Sequence, residues 1–104
     1  TFSLCTWWHR IEGDVLVGLV RCISDDASVM LLQDILVHPD HQRRGIGRAL
    51  ARAALDRFAH CRQVVLLTDD RPEQTAFYEA LGLTRLDRAT TARLHAFARM
   101  PGLS

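Results

Sequence analysis

The sequence predicts a mixed α/β (α+β) domain built on a twisted, mainly antiparallel sheet flanked by helices. Three observations predict it. Stretches rich in β-formers, separated by turn signals, fill the first forty residues. An apolar run then leads through a basic, glycine-bearing loop into a helical pattern over residues 31–59. A further apolar run with its own helical pattern covers residues 63–81.

Each element has a local cause. Residues 2–10 and 15–24 flank Ile11-Glu12-Gly13-Asp14, a turn signal, and form a hairpin. Ser24-Asp25-Asp26-Ala27 is a second turn, and residues 28–37 complete a three-strand antiparallel meander. Residues 46–59 carry apolar side chains at Ile46, Ala49, Leu50, Ala53, Ala54 and Phe58, the three-to-four spacing of a helix with one buried face. Residues 63–69, Gln-Val-Val-Leu-Leu-Thr-Asp, form a second buried strand, and a helix runs from Pro72 or Glu73 to Leu81. Pro72 suits a first helical position, with Asp70 or Arg71 as cap, and Gly82 is a natural stop. The tail carries weaker signals: residues 84–86 read as a short strand, and 92–99 as another strand or a frayed helix. Neighbouring strand residues face opposite ways, so one of Trp7 and Trp8 enters the core and the other lies outside.

At 104 residues the chain forms one domain, residues 1–104, large enough to bury a core without staples. Apolar residues at 48% and charged residues at 24% are ordinary for a globular protein. No apolar run approaches the ~20 residues of a membrane span, and no signal-peptide pattern opens the sequence, so no membrane partner is expected. Cys5, Cys22 and Cys61 are odd in number and far apart, which makes neither a disulfide framework nor a zinc site and fits a reducing cytoplasm. His38 and His41 stand three apart in a loop without further nearby ligands, so no metal is expected.

The net charge of +1 hides an asymmetry. The first forty residues hold Arg10 and Arg21 against Glu12, Asp14, Asp25, Asp26, Asp34 and Asp40. Residues 41–62 hold Arg43, Arg44, Arg48, Arg52, Arg57 and Arg62 against Asp56 alone. This block lacks the interleaved aromatics of a single-strand binder and the overall basicity of most DNA binders, so no nucleic acid is expected. A polyphosphate ligand bound at one end accounts for it more economically. A homodimer stays open.

The most informative stretch is Val37-His38-Pro39-Asp40-His41-Gln42-Arg43-Arg44-Gly45-Ile46-Gly47-Arg48, between a strand and a helix. Glycines let the chain turn tightly and let an anion approach, and first-turn N–H groups lack intrahelical partners. The helix dipole and three arginines add positive charge, making a pyrophosphate cradle. A P-loop needs lysine, and the chain has none; a dinucleotide fingerprint needs a third glycine where Leu50 stands.

Gln42-Arg43-Arg44-Gly45-Ile46-Gly47 resembles the acetyl-CoA signature of the Gcn5-related N-acetyltransferases (GNAT), Gln/Arg-x-x-Gly-x-Gly/Ala. Asp34-Ile35-Leu36-Val37-His38-Pro39 resembles that family's fourth strand, and Glu73-Gln74-Thr75-Ala76-Phe77-Tyr78-Glu79-Ala80-Leu81-Gly82-Leu83 resembles its Ala-x-x-Phe-Tyr-Glu-x-x-Gly-Phe segment. The likeness covers about residues 15–86. The resemblance implies an additional strand and one or two helices ahead of the meander that help to wall the acceptor; the given sequence starts without them, which reads as either a piece of a longer protein or a shortened domain.

The resemblance implies a GNAT-like sheet with acetyl-CoA, the cosubstrate, at a strand splay. It implies an N-acetyltransferase that moves acetyl from acetyl-CoA to a primary amine by direct attack in a ternary complex. The acceptor would be a small-molecule or peptide amine. Gln42, Arg43, Arg44, Gly45, Ile46, Gly47 and Arg48 would hold the pyrophosphate, and the backbone of Leu36 and Val37 would pair with the pantetheine arm. A strand N–H there could also polarise the thioester carbonyl. Tyr78 would protonate the departing thiolate, since a phenol (~10) and a thiol (~8.5) are only modestly mismatched. Asp34, a carboxylate inside an otherwise apolar strand, is the candidate general base, where burial would strengthen it as a base. Asp25 and Asp26 are alternatives, although they lie in a turn. The early acids would border the acceptor side and favour a cationic acceptor. A non-catalytic acyl-CoA-binding module is the first alternative; a Rossmann-like nucleotide binder, which needs a parallel sheet, is the second.

Overall fold

The computed structural model describes residues 4–69, 71–88 and 95–103, with side chains from His9 onward. The chain divides into two compact units, Thr1–Asp69 and Asp70–Ser104. In the first, β1 (Leu4–Glu12), β2 (Val15–Ser24) and β3 (Val29–Val37) form the expected antiparallel meander, each strand within two residues of its predicted bounds. Helix α1 (Ile46–Arg57) follows, then β4 (Gln63–Val65), which pairs parallel to β3. The sheet order is β1-β2-β3-β4. A sheet that is antiparallel in three of four strands overturns the Rossmann-like alternative.

The turns are built from short polar residues. Gly13 takes a left-handed φ of +61° between β1 and β2. Asp25 accepts hydrogen bonds from the N–H groups of Ala27, Ser28 and Val29 and from the Ser28 hydroxyl, which shapes the turn between β2 and β3.

One face of the sheet packs on α1. Gly18, Val20, Cys22 and Ser24 of β2 alternate onto that face with Met30 and Leu32 of β3, all buried. They meet a helix stripe of Ile46, Leu50, Ala54 and Phe58, each four residues on, with Ala51 and the later Cys61 also buried. The stripe differs from the expected one at the alanines: Ala49 is exposed and Ala53 half-buried, whereas Ala51 is sealed. With 3.6 residues per turn, the 46/50/54/58 line drifts toward the flank that carries Ala51 rather than Ala49. Both Cys22 and Cys61 are buried.

Two irregularities shape the sheet. Arg10 pairs with Gly18 but Ile11 with Leu16, leaving Val17 as an extra residue in β2. Arg21 pairs with Asp34 but Cys22 with Leu32, leaving Gln33 extra in β3. Such a bulge bends its strand and reverses the facing of the residues beyond it. After Gln33, Asp34 and Leu36 therefore share a face with Arg21 and Leu19, opposite α1.

The predicted strand over residues 63–69 is shorter than expected. Pairing with β3 covers only Val29–Gln63, Met30–Val64 and Leu31–Val65, and ends just before the bulge. Beyond it Leu67 is 62% exposed.

In the second unit, α2 (Pro72–Ala80) starts with Pro72 in its first turn, as expected. Arg71 stands at the cap position without a side-chain capping bond, and Asp70 lies outside the described residues. The helix ends at Gly82, φ +94°, with Gly82 N–H donating to the Glu79 carbonyl and Leu83 N–H to that of Tyr78. The strand expected over residues 84–86 is replaced by a 3₁₀ turn, Leu86–Arg88. There Arg85 grips Asp87 through two hydrogen bonds, a local contact that competes with extension. Residues 95–99 have no regular structure, and residues 92–94 lie outside the described residues, as do the Trp7 and Trp8 side chains.

Candidate active site

The site in the first unit begins where β3 loses its second neighbour. β3 continues to Val37, six residues past its last pair with β4. His38 N–H donates back to the Val17 carbonyl at 2.8 Å. Successive N–H groups of an extended strand point to opposite edges, so the N–H of Val37 points away from β2. That edge is the one β4 has left open.

A 3₁₀ turn, Pro39–His41, carries the chain off the strand; the His38 ring nitrogen accepts from the Asp40 N–H at its start. Gln42 then reaches back, its Nε2 donating to the Val37 carbonyl at 3.3 Å. The loop turns through two left-handed residues, Arg43 at φ +66° and Gly45 at φ +79°. Gly45 caps α1 without any side-chain hydrogen bond to the first-turn N–H groups. Ile46 is buried, so it can offer a ligand only its N–H; Gly47 is half-buried, and Arg43 and Arg48 are exposed.

Two residues that sequence reasoning passed over hold this loop in place. A Cβ on Gly18 would lie 2.6 Å from Ile46 Cγ2 and 2.8 Å from Leu50 Cδ1, so any other residue would force those side chains to shift where the start of α1 settles on β2. Glycine inside a strand pattern marks close backbone approach, the signal that could have found it. Glu12, at the end of β1, receives two hydrogen bonds from Arg44, at 3.2 and 3.1 Å. Arg44 also contacts the His41 ring. The Arg44 guanidinium holds the Glu12 carboxyl below its ordinary value of 4.5. No local motif announces this pair, thirty-two residues apart.

Asp34 does not stand alone among apolar groups. Arg21, its partner across the ladder, places Nε 2.9 Å from its carboxylate, and both side chains are about a third exposed. Asp26 is likewise matched by Arg57 at 3.1 Å and by His60 at 2.8 Å, and Asp25 serves the turn. Three of the six acids of the first forty residues, Glu12, Asp26 and Asp34, are thus matched by arginines, which weakens the support for a focused negative field. Beside Asp34 on the same face, Leu16, Leu19 and Leu36 border a shallow groove of about 210 Å³. Leu36 itself is 60% exposed.

Tyr78 belongs to the second unit. It is half-buried on α2, edge-to-face with Phe77 at 5.1 Å, and burial raises its phenol above the ordinary value of 10.0. The phenol therefore stays protonated across the physiological range.

Taken by itself, the first unit offers an open strand edge directly ahead of an uncapped helix start with exposed arginines. Backbone donors there can receive an extended amide-bearing arm and an anion, so the residues present fit a coenzyme A-like ligand. Comparisons with known proteins agree. A model of the acetyltransferase (GNAT) family matches residues 2–83, and the chain belongs to that family. A GNAT family acetyltransferase structure from Streptococcus pneumoniae superposes with a TM-score of 0.76 at 32% identity, covering 90% of this chain and 71% of that one. A Gibberella zeae protein bearing an acetyltransferase name is 39% identical over 66 residues, 61% of this chain and 37% of its own length. The glucosamine 6-phosphate N-acetyltransferase of Schizosaccharomyces pombe is 30% identical over 78 residues, 74% of this chain and 70% of its own. The chain spans about two fifths of the length of most curated relatives it matches. No helix among the described residues is long and apolar enough to cross a membrane.

Proposed function

We propose that this chain transfers an acetyl group from acetyl-CoA to a primary amine by direct attack in a ternary complex. The observation that carries the reading is the open edge of β3 from Leu32 to Val37, leading straight into the loop of residues 42–45 and the uncapped start of α1. Acetyl-CoA supplies an activated thioester carbonyl. The strand edge at Leu36 and Val37 binds and orients the pantetheine arm, with Val37 N–H as the donor. The N–H groups at Gly45, Ile46, Gly47 and Arg48, with the Arg43 and Arg48 side chains, bind the pyrophosphate. Tyr78, a phenol that is protonated at neutral pH, donates its proton to the leaving sulfur. Asp34, whose carboxylate lies 2.9 Å from the Arg21 Nε, is the acceptor for the proton that the ammonium must lose before attack. The acceptor is a small-molecule or peptide amine, and the relative that acts on glucosamine 6-phosphate supports a small molecule.

The test has two arms. Acetyl-CoA at saturating concentration should raise the melting temperature by mass action, while NAD and ATP should not. Tyr78→Phe should lower turnover by ~10²–10⁴-fold with acetyl-CoA affinity nearly unchanged. Absence of any shift with millimolar acetyl-CoA would sink the reading. Binding without turnover across a panel of amines would leave a non-catalytic acyl-CoA-binding module.

A further inference from the structure

We infer that Glu12 is a positioning residue for the cofactor loop, and that the Arg44 side chain braces this loop rather than contacting phosphate. The inference rests on the functional reading above and deepens it. Arg44 lies in the basic motif, where its charge suggests a phosphate ligand. Its guanidinium is instead turned onto the end of β1, where both terminal nitrogens engage both carboxylate oxygens of Glu12. Two-point contact of this kind fixes orientation as well as position. The other groups facing Glu12 are the Arg10 guanidinium, at 3.5 Å on its own strand, and the His41 imidazole, at 3.8 Å on the loop. Two guanidinium groups and one imidazole gather on one carboxylate.

The loop needs holding. Arg43 is a non-glycine residue in the left-handed region, which is unfavourable unless the surroundings impose it. The residues on its two sides are the ones tied down. Gln42 is fastened to the end of β3 and Arg44 to the end of β1, so the turn at Arg43 is pinned from both flanks. These same two ties set the direction of the N–H groups at residues 43–45. Glu12 thereby acts on the anion site through Arg44, without touching it.

The brace makes a prediction whose sign differs from simple electrostatics. Removing an acid beside an anion site should tighten anion binding through the field alone, and more so if it frees an arginine to reach phosphate. If Glu12 braces the loop, its removal should weaken binding instead. The experiment measures the dissociation constant of coenzyme A by calorimetry for the wild type, Glu12→Gln, Arg44→Gln and the double variant. The expected result is a loss of about fivefold in each single variant, with the double variant no weaker than either. Amide exchange at residues 43–45 of the unliganded protein should quicken in Glu12→Gln, while the melting temperature stays close to wild type. Unchanged or tighter binding in Glu12→Gln beside weaker binding in Arg44→Gln would overturn the brace and make Arg44 a phosphate ligand. Failure of the wild type to bind coenzyme A would overturn the functional reading, and the positioning role with it.

Discussion

The two units of this chain are held together by different means. Among the described residues, the first unit contains eleven of the twelve buried apolar positions, from Val17 to Cys61. The second contains one, Leu81. In the first, alternating strand residues and a four-residue helix stripe close on each other, and burial of apolar surface supplies the stabilisation. In the second, α2 buries no residue among its own nine and depends on its ends: Pro72 at the start and the Gly82 motif at the finish. The difference bears on function. The elements proposed to bind the cofactor rest on a packed support, whereas Tyr78, the proposed acid, rides on a helix specified by local backbone signals.

The largest expected effect tests the packed side. Phe58 ends the α1 stripe and is 0% exposed. Phe58→Ala removes most of that side chain and leaves a cavity under the sheet, so it should destabilise by about 3–5 kcal/mol. Urea unfolding followed by circular dichroism reads the change. A loss under about 1 kcal/mol, the range of an exposed site, would mean that this stripe is not the mainstay of the first unit.

A smaller effect tests the locally specified side. Gly82 holds φ +94°, and a Cβ there would meet nothing within 4 Å, so Gly82→Ala is opposed by backbone strain alone. That strain is about 1–2 kcal/mol. Amide exchange should quicken at Leu81–Leu83 and along α2, while protection in β2 stays as in wild type. Equal loss of protection in β2 would show that the two units unfold as one and would dissolve the contrast.

The contrast also explains what could be read from the sequence. The meander, α1 and α2 were legible because period-two and three-to-four patterns, Gly13, Pro72 and Gly82 are local signals. The end of β4 was not, because Val64, Val65, Leu66 and Leu67 look equally strand-like. The pairing ends two residues before a bulge at Gln33 in a different strand, and register is a property of two segments. The loop motif and Tyr78 were visible as residue types at a spacing. The partners of the site's charged groups were not: Glu12 with Arg44, Arg21 with Asp34 and Asp26 with Arg57 are separated by 13 to 32 residues. Counting charges along the chain suggested an acidic stretch and a basic block, and folding joins the two through Glu12 with Arg44 and Asp26 with Arg57.

The smallest expected effect arises from those pairings and again separates the units. Asp25 accepts three backbone N–H bonds and the Ser28 hydroxyl, and this holds its carboxyl well below the ordinary 3.8. Hydrogen bonds from Arg57 lower Asp26 in the same direction. A carboxyl whose folded value is depressed contributes stability above its unfolded value and loses it as pH falls toward the folded one. The first unit should therefore be constant in stability near neutrality and weaken as pH drops below about 4, with Asp25 the group pulling hardest. In the second unit, Asp87 is lowered by Arg85, but this pair lies in a 3₁₀ turn outside α2. Acid should thus erode the turn between β2 and β3 before it touches α2. Asp25→Asn keeps an acceptor oxygen but cannot titrate, so its melting temperature should lie below wild type at neutral pH and converge with it in acid. A constant gap between the two proteins from pH 7 down to about 2 would show that the carboxylate charge contributes nothing, and that the turn is held by its neutral hydrogen bonds alone.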